Sequence, residues 1–598
     1  MWGLYKSVSK IYKGFTQSSC NSQTEQDMID GSGQEAELKR SCAGAVRERE
    51  AKDSGPERNG GFRKGENMLR KRFTALLMAG VVAAMSLAGC GSSGDSSGTG
   101  TENQGEKAAN AEESAGGTVV MARSIDSETL DPALASKNQD IWMMNFALEG
   151  LVRSTEDGKD VEPAVADSWT ISDDYLTYTF HLRDGIKFSN GEEVTPEDCV
   201  YSINRAKNME GGPYTSMISA ITDIRAEGED SVVVTVEQPT PYLLSLLAMF
   251  PCSIMPQAYC EEVGDEGIAN CPVGTGPFAL ESWEKNNGMV FVKNDYYWQE
   301  GLPTVEEFHM NVVTDDNTRM MQLKSGQIDM AEVPLSQLDD LKNTDGIVVE
   351  EFPSTSVDYI ILNCQNEKLQ DVRVRQALEL ATDKEAIIKA VSYGYGEPAD
   401  SFISPVAPHY NTNLPKVTRD VEKAKQLMTE AGYGDGMELT VEIASGNTAE
   451  LQEATLLKEQ WQEIGVTLNI EQVDGATASA NWSALDYEVY FSYLTSDMTD
   501  TSQLASLWCD YDSTQCWSSG WNDDKQKEAE ALVEKAGTEM DETKRAEYYG
   551  EMQEIVAEEV PNIPLYNSSF YVAHTTDIDN VAQTPLGNYR FETLTKSE

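Results

Sequence analysis

The sequence predicts an α/β fold for residues 117–598, in which strands and helices alternate along the chain. Residues 176–182 alternate apolar and polar side chains, which is typical of a strand with one buried face. Residues 420–436 carry apolar side chains at helical spacing, and residues 466–470 return to strict alternation. Strand and helix patterns that interchange in this way favour α/β lobes over an all-helical or all-strand domain.

The first clear strand patterns lie between residues 175 and 238. Alternate apolar side chains from Leu176 to Leu182 share one strand face, and Asp184-Gly185 behind them predicts the turn of a β-hairpin. Residues 230–238 are rich in valine and predict another strand.

Helix signals are clearest after residue 370. Asp371 predicts the N-cap of a helix over 372–382, and Thr382 with Glu385 forms a capping-box pattern for a helix that ends at Gly394. Further helices are predicted at 420–431 and 449–465, and the second of these leads into a strand over 466–473.

The chain is strongly acidic. Its 598 residues contain 46 Lys and Arg against 100 Asp and Glu, for a formal net charge of −54. A partner that presents phosphates needs a basic footprint, so the composition argues against nucleic acid as a partner. An anionic membrane surface would also repel the chain, so attachment to a membrane requires a covalent anchor.

The region around residue 80 has the pattern of a secretory signal peptide. Arg70-Lys71-Arg72 precedes an uncharged apolar stretch, 73–89, that ends in small residues. A retained transmembrane helix is the alternative, although this stretch is short for a membrane span. We expect the signal peptide at 68–89. Residues 1–67 lack sustained apolar periodicity, so we interpret them as disordered or untranslated, and we expect translation to start at Met68.

Leu87-Ala88-Gly89-Cys90 resembles the lipobox of bacterial lipoproteins. The resemblance implies cleavage before Cys90 and lipidation of that residue. Residues 91–116 are rich in Gly and Ser and predict a flexible linker, so 90–116 is interpreted as the anchor with its tether. The protein is then expected outside the cytoplasm, on the cell membrane through this lipid alone.

The cysteines after the anchor leave their pairing open. Cys509 with Cys516 is the favoured disulfide because the loop between them is short and polar, and Cys260 with Cys271 is a second candidate. A zinc site is the competing interpretation, but no C-x-x-C occurs. The four histidines are scattered along the sequence, so no metal and no cofactor are predicted.

Six blocks of sequence, in order, resemble family 5 of the extracellular solute-binding proteins, the oligopeptide, dipeptide and nickel receptors of ABC importers. The blocks are TLDPALASKNQDIWMMNFALEGLVR (129–153), GIKFSNGEEVTPEDCVYSINRA (185–206), GTGPF (274–278), LKSGQIDMAEVP (323–334), DVRVRQALELATDKEAI (371–387) and AEEVPNIPLY (557–566). The resemblance spans the chain from about residue 117 to its last residue.

The resemblance implies a two-lobed α/β fold of the periplasmic-binding-protein type II class, which closes by a hinge around its ligand. Lobe one is then residues 117–355, with an extra domain at about 161–269. Lobe two is residues 356–566, and residues 567–598 return to lobe one. The implied partners are a small peptide or other small solute and the permease subunits in the membrane, and the implied state is a monomer.

The resemblance also implies a set of ligand-binding residues. In peptide-binding members an acidic residue of lobe two pairs with the ligand ammonium, and Asp497 matches it, with Asp500 as the fallback. The remaining matches are Ser136, Asn138, Glu332, Tyr493 and Thr495. Dipeptide-binding members carry an Arg where this chain has Ser-Gly-Asn-Thr-Ala-Glu, 445–450, which favours a longer peptide.

The sequence therefore predicts a receptor that captures oligopeptides, and not an enzyme. The alternatives are another solute in the same fold, such as a nickel chelate, an opine or an oligosaccharide, and a secreted hydrolase. The hydrolase is disfavoured because no motif in a suitable structural context supplies a nucleophile or a catalytic metal.

Overall fold

The computed structural model describes residues 117–597. The predictions for residues 1–116, including the signal peptide, Cys90 and the linker, lie outside the described residues. No helix within residues 117–597 is long and apolar enough to cross a membrane.

The described chain begins with strands and short helices that build the first half of the molecule. The strands are β1 Thr118–Arg123, β2 Val152–Ser154, β3 Val161–Pro163, β4 Ala166–Ile171, β5 Thr177–Leu182, β6 Ile221–Glu227, β7 Ser231–Val236, β8 Phe278–Glu284, β9 Gly288–Lys293, β10 Glu307–Val312 and β11 Met330–Glu332. The helices are α1 Asn138–Met144, α2 Pro196–Asn208, α3 Thr215–Ile218, α4 Leu243–Leu247, α5 Gln257–Asn270, α6 Asp316–Lys324 and α7 Leu338–Lys342.

The remaining elements contain longer helices. The strands are β12 Ile347–Leu362, β13 Glu397–Pro398, β14 Met437–Ala444, β15 Val466–Val473, β16 Val489–Leu494, β17 Asn562–Thr575, β18 Ile578–Asp579 and β19 Thr595–Lys596. The helices are α8 Val372–Ala381, α9 Lys384–Val391, α10 Val421–Glu430, α11 Thr448–Gln462, α12 Gly475–Ser483, α13 Ser502–Cys509, α14 Thr514–Ser519, α15 Asp524–Ala536 and α16 Glu542–Glu559.

Most strands join one large mixed sheet. Its order is β15-β14-β16-β12-β17-β11-β1-β10-β9-β8, and β13 also pairs with β17. A separate sheet, here called the small sheet, has the order β4-β5-β7-β6. Helices and strands alternate as predicted, so the α/β prediction is confirmed.

The long strands β12 and β17 connect the two halves of the large sheet. They run antiparallel from Ile347 opposite Thr575 to Ile361 opposite Asn562, and the register shifts between Pro353 and Val357. Near Thr575, on one side of the shift, β17 also pairs with β11. From Val357 to Leu362, on the other side, β12 also pairs with β16. The irregularity therefore lies where the sheet passes from one half to the other.

Separate apolar clusters support the halves. One cluster packs around β1, β8, β9 and β10, and a second packs α2 against the small sheet. Beyond the register shift, β12 is buried on both faces: Ile360 and Leu362 face one cluster, while Tyr359 and Ile361 face another. Helices cover both faces of this half, as is usual for sheets with parallel pairing such as β14 with β15.

Several local predictions are confirmed and others are wrong. Asp371 caps α8 as predicted, its side chain accepting a hydrogen bond from the Arg373 amide. The cap of α9 is Asp383, because the Thr382 hydroxyl instead donates to the Leu378 carbonyl and accepts from the Trp461 indole. The predicted hairpin is wrong, since β5 pairs with β4 and β7 rather than with the segment after the turn.

Both predicted disulfides are also wrong. Cys509, Cys516 and Cys260 are free thiols, so neither the pair Cys509–Cys516 nor the pair Cys260–Cys271 forms. The Cys516 thiol donates to the Trp521 carbonyl over 3.7 Å, and Cys509 is buried at the end of α13. Burial raises the pKa of both thiols, which keeps them protonated and unreactive.

Candidate functional site

The candidate site is built on the segment 495–501, which leaves β16 and leads to α13. The Asp497 carboxylate accepts two hydrogen bonds at Oδ2, one from the Tyr214 hydroxyl and one from Gln503 Nε2, each 2.8 Å long. The backbone amide of Asp497 donates to Gln503 Oε1 over 2.8 Å. Asp497 is therefore held by Gln503 from its own half and by Tyr214 from the small-sheet region.

Met498 and Thr499, which follow Asp497, also contact the small-sheet region. Met498 is buried in the apolar cluster of the small sheet, and the Thr499 hydroxyl lies 2.8 Å from that of Ser245, just inside α4. The Ser496 amide donates to Thr355 Oγ1 over 3.0 Å, close to the register shift of β12. The segment thus makes contact between the two halves of the molecule.

A narrow cavity opens beside these contacts. It is lined by Ile141, Ser154, Ser245, Ala248, Met249, Phe250, Asp497, Thr499, Leu586 and Asn588. The lining mixes apolar and polar residues, and its polar side chains other than Asp497 carry hydroxyl or amide groups. The cavity has a volume of about 10 Å³, so in this structure it has room for a single water-sized polar group beside Asp497.

Asp497 is the charged group of this cavity. Burial raises the pKa of its carboxyl, and the hydrogen bonds from Gln503 and Tyr214 oppose that rise. The Tyr214 pKa is raised by burial and by the nearby Asp497 charge, so its hydroxyl remains a donor. Within residues 117–597, no Lys, Arg or His neutralises the carboxylate. The cavity is therefore suited to a cationic group.

Asp500, the fallback residue, has a different role. Both of its carboxylate oxygens lie 3.0 Å from Arg545 Nη2, and Oδ1 also accepts from the Ser502 amide. Arg545 is fixed further by its Nε, which donates to the Ala536 carbonyl. The charge of Asp500 is thus neutralised inside the protein, and the pair anchors the segment that carries Asp497.

The lobe-one residues predicted from the resemblance do not line this cavity. Ser136 is exposed, and Asn138 begins α1. Glu332 ends β11, where Oε1 accepts from the Tyr589 hydroxyl over 3.2 Å and Oε2 from the Ser124 amide over 3.4 Å. None of the three lines the cavity at Asp497.

Tyr493 and Thr495 lie on either side of the end of β16. Tyr493 is 62% exposed and pairs across the sheet with Asp358 of β12, whereas Thr495 is buried. The side chains of both residues are absent from the cavity lining. The exposed Tyr493 ring is nonetheless available for stacking.

Near Tyr493 lie the half-buried carboxyl of Asp358 and the buried carboxyl of Glu453, and no Lys, Arg or His within residues 117–597 forms an ion pair with either. Burial raises the pKa of Asp358 to about 7, and burial together with the Asp358 charge raises that of Glu453 to about 8. The Tyr566 hydroxyl donates to Glu453 Oε1 over 3.3 Å. These two groups therefore hold protons at neutral pH more readily than ordinary carboxyls do.

The segment 445–450, where dipeptide-binding members carry an Arg, caps a helix here. Asn447 Oδ1 accepts from the Glu450 amide over 3.2 Å at the start of α11. This position offers no cation to a ligand carboxylate.

Sequence reasoning missed Tyr214, Gln503 and Ser245. Tyr214 and Ser245 come from distant parts of the chain, and nothing in their local sequence distinguishes them from packing residues. Gln503 follows Asp497 by six positions, a spacing that belongs to no known motif. Among residues 117–597, no group of three or more His, Cys, Asp or Glu side chains could hold a metal ion.

Comparisons with known proteins agree with this architecture. A family described as bacterial extracellular solute-binding proteins, family 5 Middle, matches residues 160–516. The chain is 28% identical over 464 residues to heme-binding protein A of Haemophilus influenzae, covering 73% of this chain and 84% of that protein. It is 27% identical over 480 residues to the dipeptide-binding protein of Escherichia coli, covering 76% and 88%.

A solved structure, HbpA2 from Haemophilus parasuis, has the same fold. The two chains superpose with a TM-score of 0.71 at 26% identity, over 81% of this chain and 100% of that one. The predicted two-lobed α/β fold of the periplasmic-binding-protein type II class is confirmed by this likeness together with the large mixed sheet.

Proposed function

Because this chain belongs to family 5 of the bacterial extracellular solute-binding proteins, we propose that it is the receptor of an ABC importer that captures oligopeptides. The peptide proposal rests on the environment of the Asp497 carboxylate. This carboxylate lines an otherwise uncharged cavity and has no cationic partner within residues 117–597. A peptide supplies the missing charge through its terminal ammonium group.

The proposed mechanism is closure of two lobes on the ligand. Lobe one is residues 117–355 and 567–598 with an extra domain at about 161–269, and lobe two is residues 356–566. The register shift between Pro353 and Val357 supports a hinge at this boundary. A ligand that touches both lobes only when they meet stabilises the closed form, and the permease then recognises that form.

Ser136, Asn138, Glu332, Tyr493 and Thr495 are proposed to contact parts of the ligand beyond the cavity at Asp497. The absence of a cation in segment 445–450 supports a peptide longer than two residues, whose carboxylate needs no fixed partner there. The chain is 27% identical to a dipeptide-binding protein, so peptides are a ligand class already found among its relatives.

Heme is the ligand named for the other relative, and this chain offers less support for it. Heme iron in proteins is commonly held by His, Cys, Met or Tyr. The cavity at Asp497 contains no His, Cys or Tyr, and its one Met is buried in the core. A carboxylate without a cation suits an amine better than it suits a dianionic porphyrin.

The lipid on Cys90 is proposed to hold the receptor outside the cytoplasm and near its permease. The acidic chain would otherwise be repelled by an anionic membrane, and stable attachment by lipid needs more than one acyl chain.

Incubation of the purified protein with a defined mixture of tripeptides to hexapeptides tests the proposal. After rapid buffer exchange, native mass spectrometry should find intact peptides bound to the wild type and fewer bound to Asp497→Asn. Recovery of shortened peptides would indicate a hydrolase. If no peptide is retained while another co-purified solute is found, the peptide proposal is wrong and the receptor role remains.

A further inference from the structure

We infer that Asp497 binds a compact ammonium group through Oδ1 alone, and that Tyr214 and Gln503 make this site discriminate against guanidinium and amidinium groups. The inference rests on the proposed function and specifies which cations that site accepts. Tyr214 and Gln503 act as positioning residues, because they control which carboxylate atom remains available.

The two oxygens of the Asp497 carboxylate differ in the hydrogen bonds that they accept. Oδ2 accepts from the Tyr214 hydroxyl and from Gln503 Nε2, both at 2.8 Å, which occupies the two lone pairs of that oxygen. No donor within the described part of the chain reaches Oδ1. Because Asp497 lines the cavity, Oδ1 is the atom left for a ligand.

The two donors are fixed in place. Gln503 is 4% exposed, and its Oε1 accepts from the Asp497 backbone amide, so the Nε2 end of its side-chain amide must face the carboxylate. The Tyr214 ring packs edge-on against Phe250, with ring centroids 5.2 Å apart at 86°. Gln503 cannot turn away from Oδ2 without losing the Asp497 amide, and the packed Tyr214 ring keeps its hydroxyl beside Oδ2, so a ligand cannot easily displace them.

The geometry favours one class of cation. A guanidinium or amidinium group is a planar fork that binds a carboxylate best through two parallel hydrogen bonds, one to each oxygen. With Oδ2 already saturated, such a group keeps one of these bonds and buries donors that lack partners, which is costly. An ammonium group has three donors around a single point, and one of them suffices to pair with Oδ1.

A pair of matched ligand sets tests this inference. The first set is a mixture of tripeptides with free amino termini, and the second contains the same tripeptides converted to N-acetimidoyl derivatives, which are amidines that keep the positive charge but present a fork. Both sets are offered together to the lipid-free mature chain, and native mass spectrometry gives the ratio of retained amine to retained amidine. The wild type should prefer amines by about 10- to 100-fold, the effect of losing one charge-assisted hydrogen bond.

Tyr214→Phe frees one acceptor position on Oδ2 and keeps the ring that packs on Phe250. The ratio of amine to amidine should fall by about tenfold in this variant. Tyr259→Phe is the matched control, because its hydroxyl donates to the Cys271 carbonyl instead, and it should keep the wild-type ratio. A variant that merely loses stability lowers retention of both ligand sets and leaves their ratio unchanged.

Equal retention of both sets by the wild type, or an unchanged ratio in Tyr214→Phe, would overturn the inference while leaving peptide capture intact. Retention of neither set would overturn the peptide function itself and, with it, the inference.

Discussion

Arg545 and Asp500 form a buried ion pair in which one guanidinium nitrogen, Nη2, lies 3.0 Å from both carboxylate oxygens. The side chains are only 3% and 9% exposed. Asp500 follows Asp497 by three residues, so the pair fixes the segment that presents the proposed ligand-binding carboxylate. Arg545 therefore neutralises Asp500, whereas the Asp497 carboxylate is available to a ligand.

Loss of either partner of this pair should destabilise the protein strongly. Asp500→Asn removes the buried counter-charge of Arg545 and leaves it only the exposed Glu542 carboxylate, 3.3 Å from Nη1, so we expect the free energy of unfolding to fall by about 3–5 kcal/mol. Urea unfolding of the ligand-free protein measures the change. Asp223→Asn breaks the exposed pair with Arg225 and should cost under about 1 kcal/mol. Equal effects of the two substitutions would contradict a structural role for the buried pair.

The carboxyls of Asp358 and Glu453 should make the protein less stable as pH rises. Their pKa values are raised to about 7 and about 8, above those of the unfolded chain, so folding favours their protonated forms. This stabilisation is fully present below the unfolded pKa, near pH 4, and is lost as pH rises through the folded values. Chemical denaturation between pH 4 and 9 should show the decline.

Glu453→Gln should flatten this decline, because the amide carries no proton to lose. Glu459→Gln is the matched control on the same helix, where the side chain is exposed, and it should leave the pH profile unchanged. A wild-type profile that stays level from pH 5 to pH 8.5 would show that these carboxyls ionise as freely in the folded protein as in the unfolded chain.

Ligand binding should close the two lobes. Small-angle scattering should give a smaller radius of gyration with bound peptide than without it, because the ligand favours the closed arrangement of this structure, in which segment 495–501 contacts the small-sheet region. Peptide at about 100 times its Kd should also add about 2.7 kcal/mol to the free energy of unfolding. An unchanged radius with the ligand demonstrably bound would rule out closure for this receptor.

Cys90→Ser should release the protein from the membrane. The substituted residue cannot carry the lipid, and an anionic membrane repels the acidic chain, so only an uncleaved apolar stretch at 73–89 would keep the variant in the membrane. Fractionation of cells that express the wild type and the variant measures the distribution. Membrane retention of a normally processed Cys90→Ser protein would refute the anchor.

Local sequence patterns predicted many elements of this fold, because caps and apolar periodicity act within a few residues. Asp371 caps α8 for this reason. Thr382 failed as a cap because Leu378 and Trp461 engage its hydroxyl, and the Trp461 contact comes from another helix. Spacing alone also mispaired Cys509 with Cys516, since two thiols close in sequence can each be buried among different neighbours.

The site was only partly predictable. Asp497 came from a resemblance to a family, and its environment depends on contacts between distant segments. The Tyr214 hydroxyl reaches it from beyond α2, and the preceding sequence Gly-Gly-Pro indicates a turn and nothing about a carboxylate. Which carboxylate oxygen is occupied is a property of tertiary packing, and no periodicity in the sequence encodes it.

Asp497 itself should bind the ligand amine, and a double-mutant cycle can isolate that interaction. Asp497→Asn keeps the shape of the side chain and removes its charge, so binding of a peptide with a free amine should weaken by about 2–5 kcal/mol, the usual loss for truncating a buried charge pair. An N-acetylated peptide brings no ammonium group, so it should bind the wild type weakly and lose little more in the variant. Calorimetry with both peptides and both proteins gives the coupling energy between the carboxylate and the amine. Because Asp500 is already paired with Arg545, the same cycle with Asp500→Asn should give a coupling near zero, whatever its effect on stability. A coupling near zero for Asp497 would instead remove this carboxylate from the binding site, since an amine that contacts it cannot be indifferent to its charge.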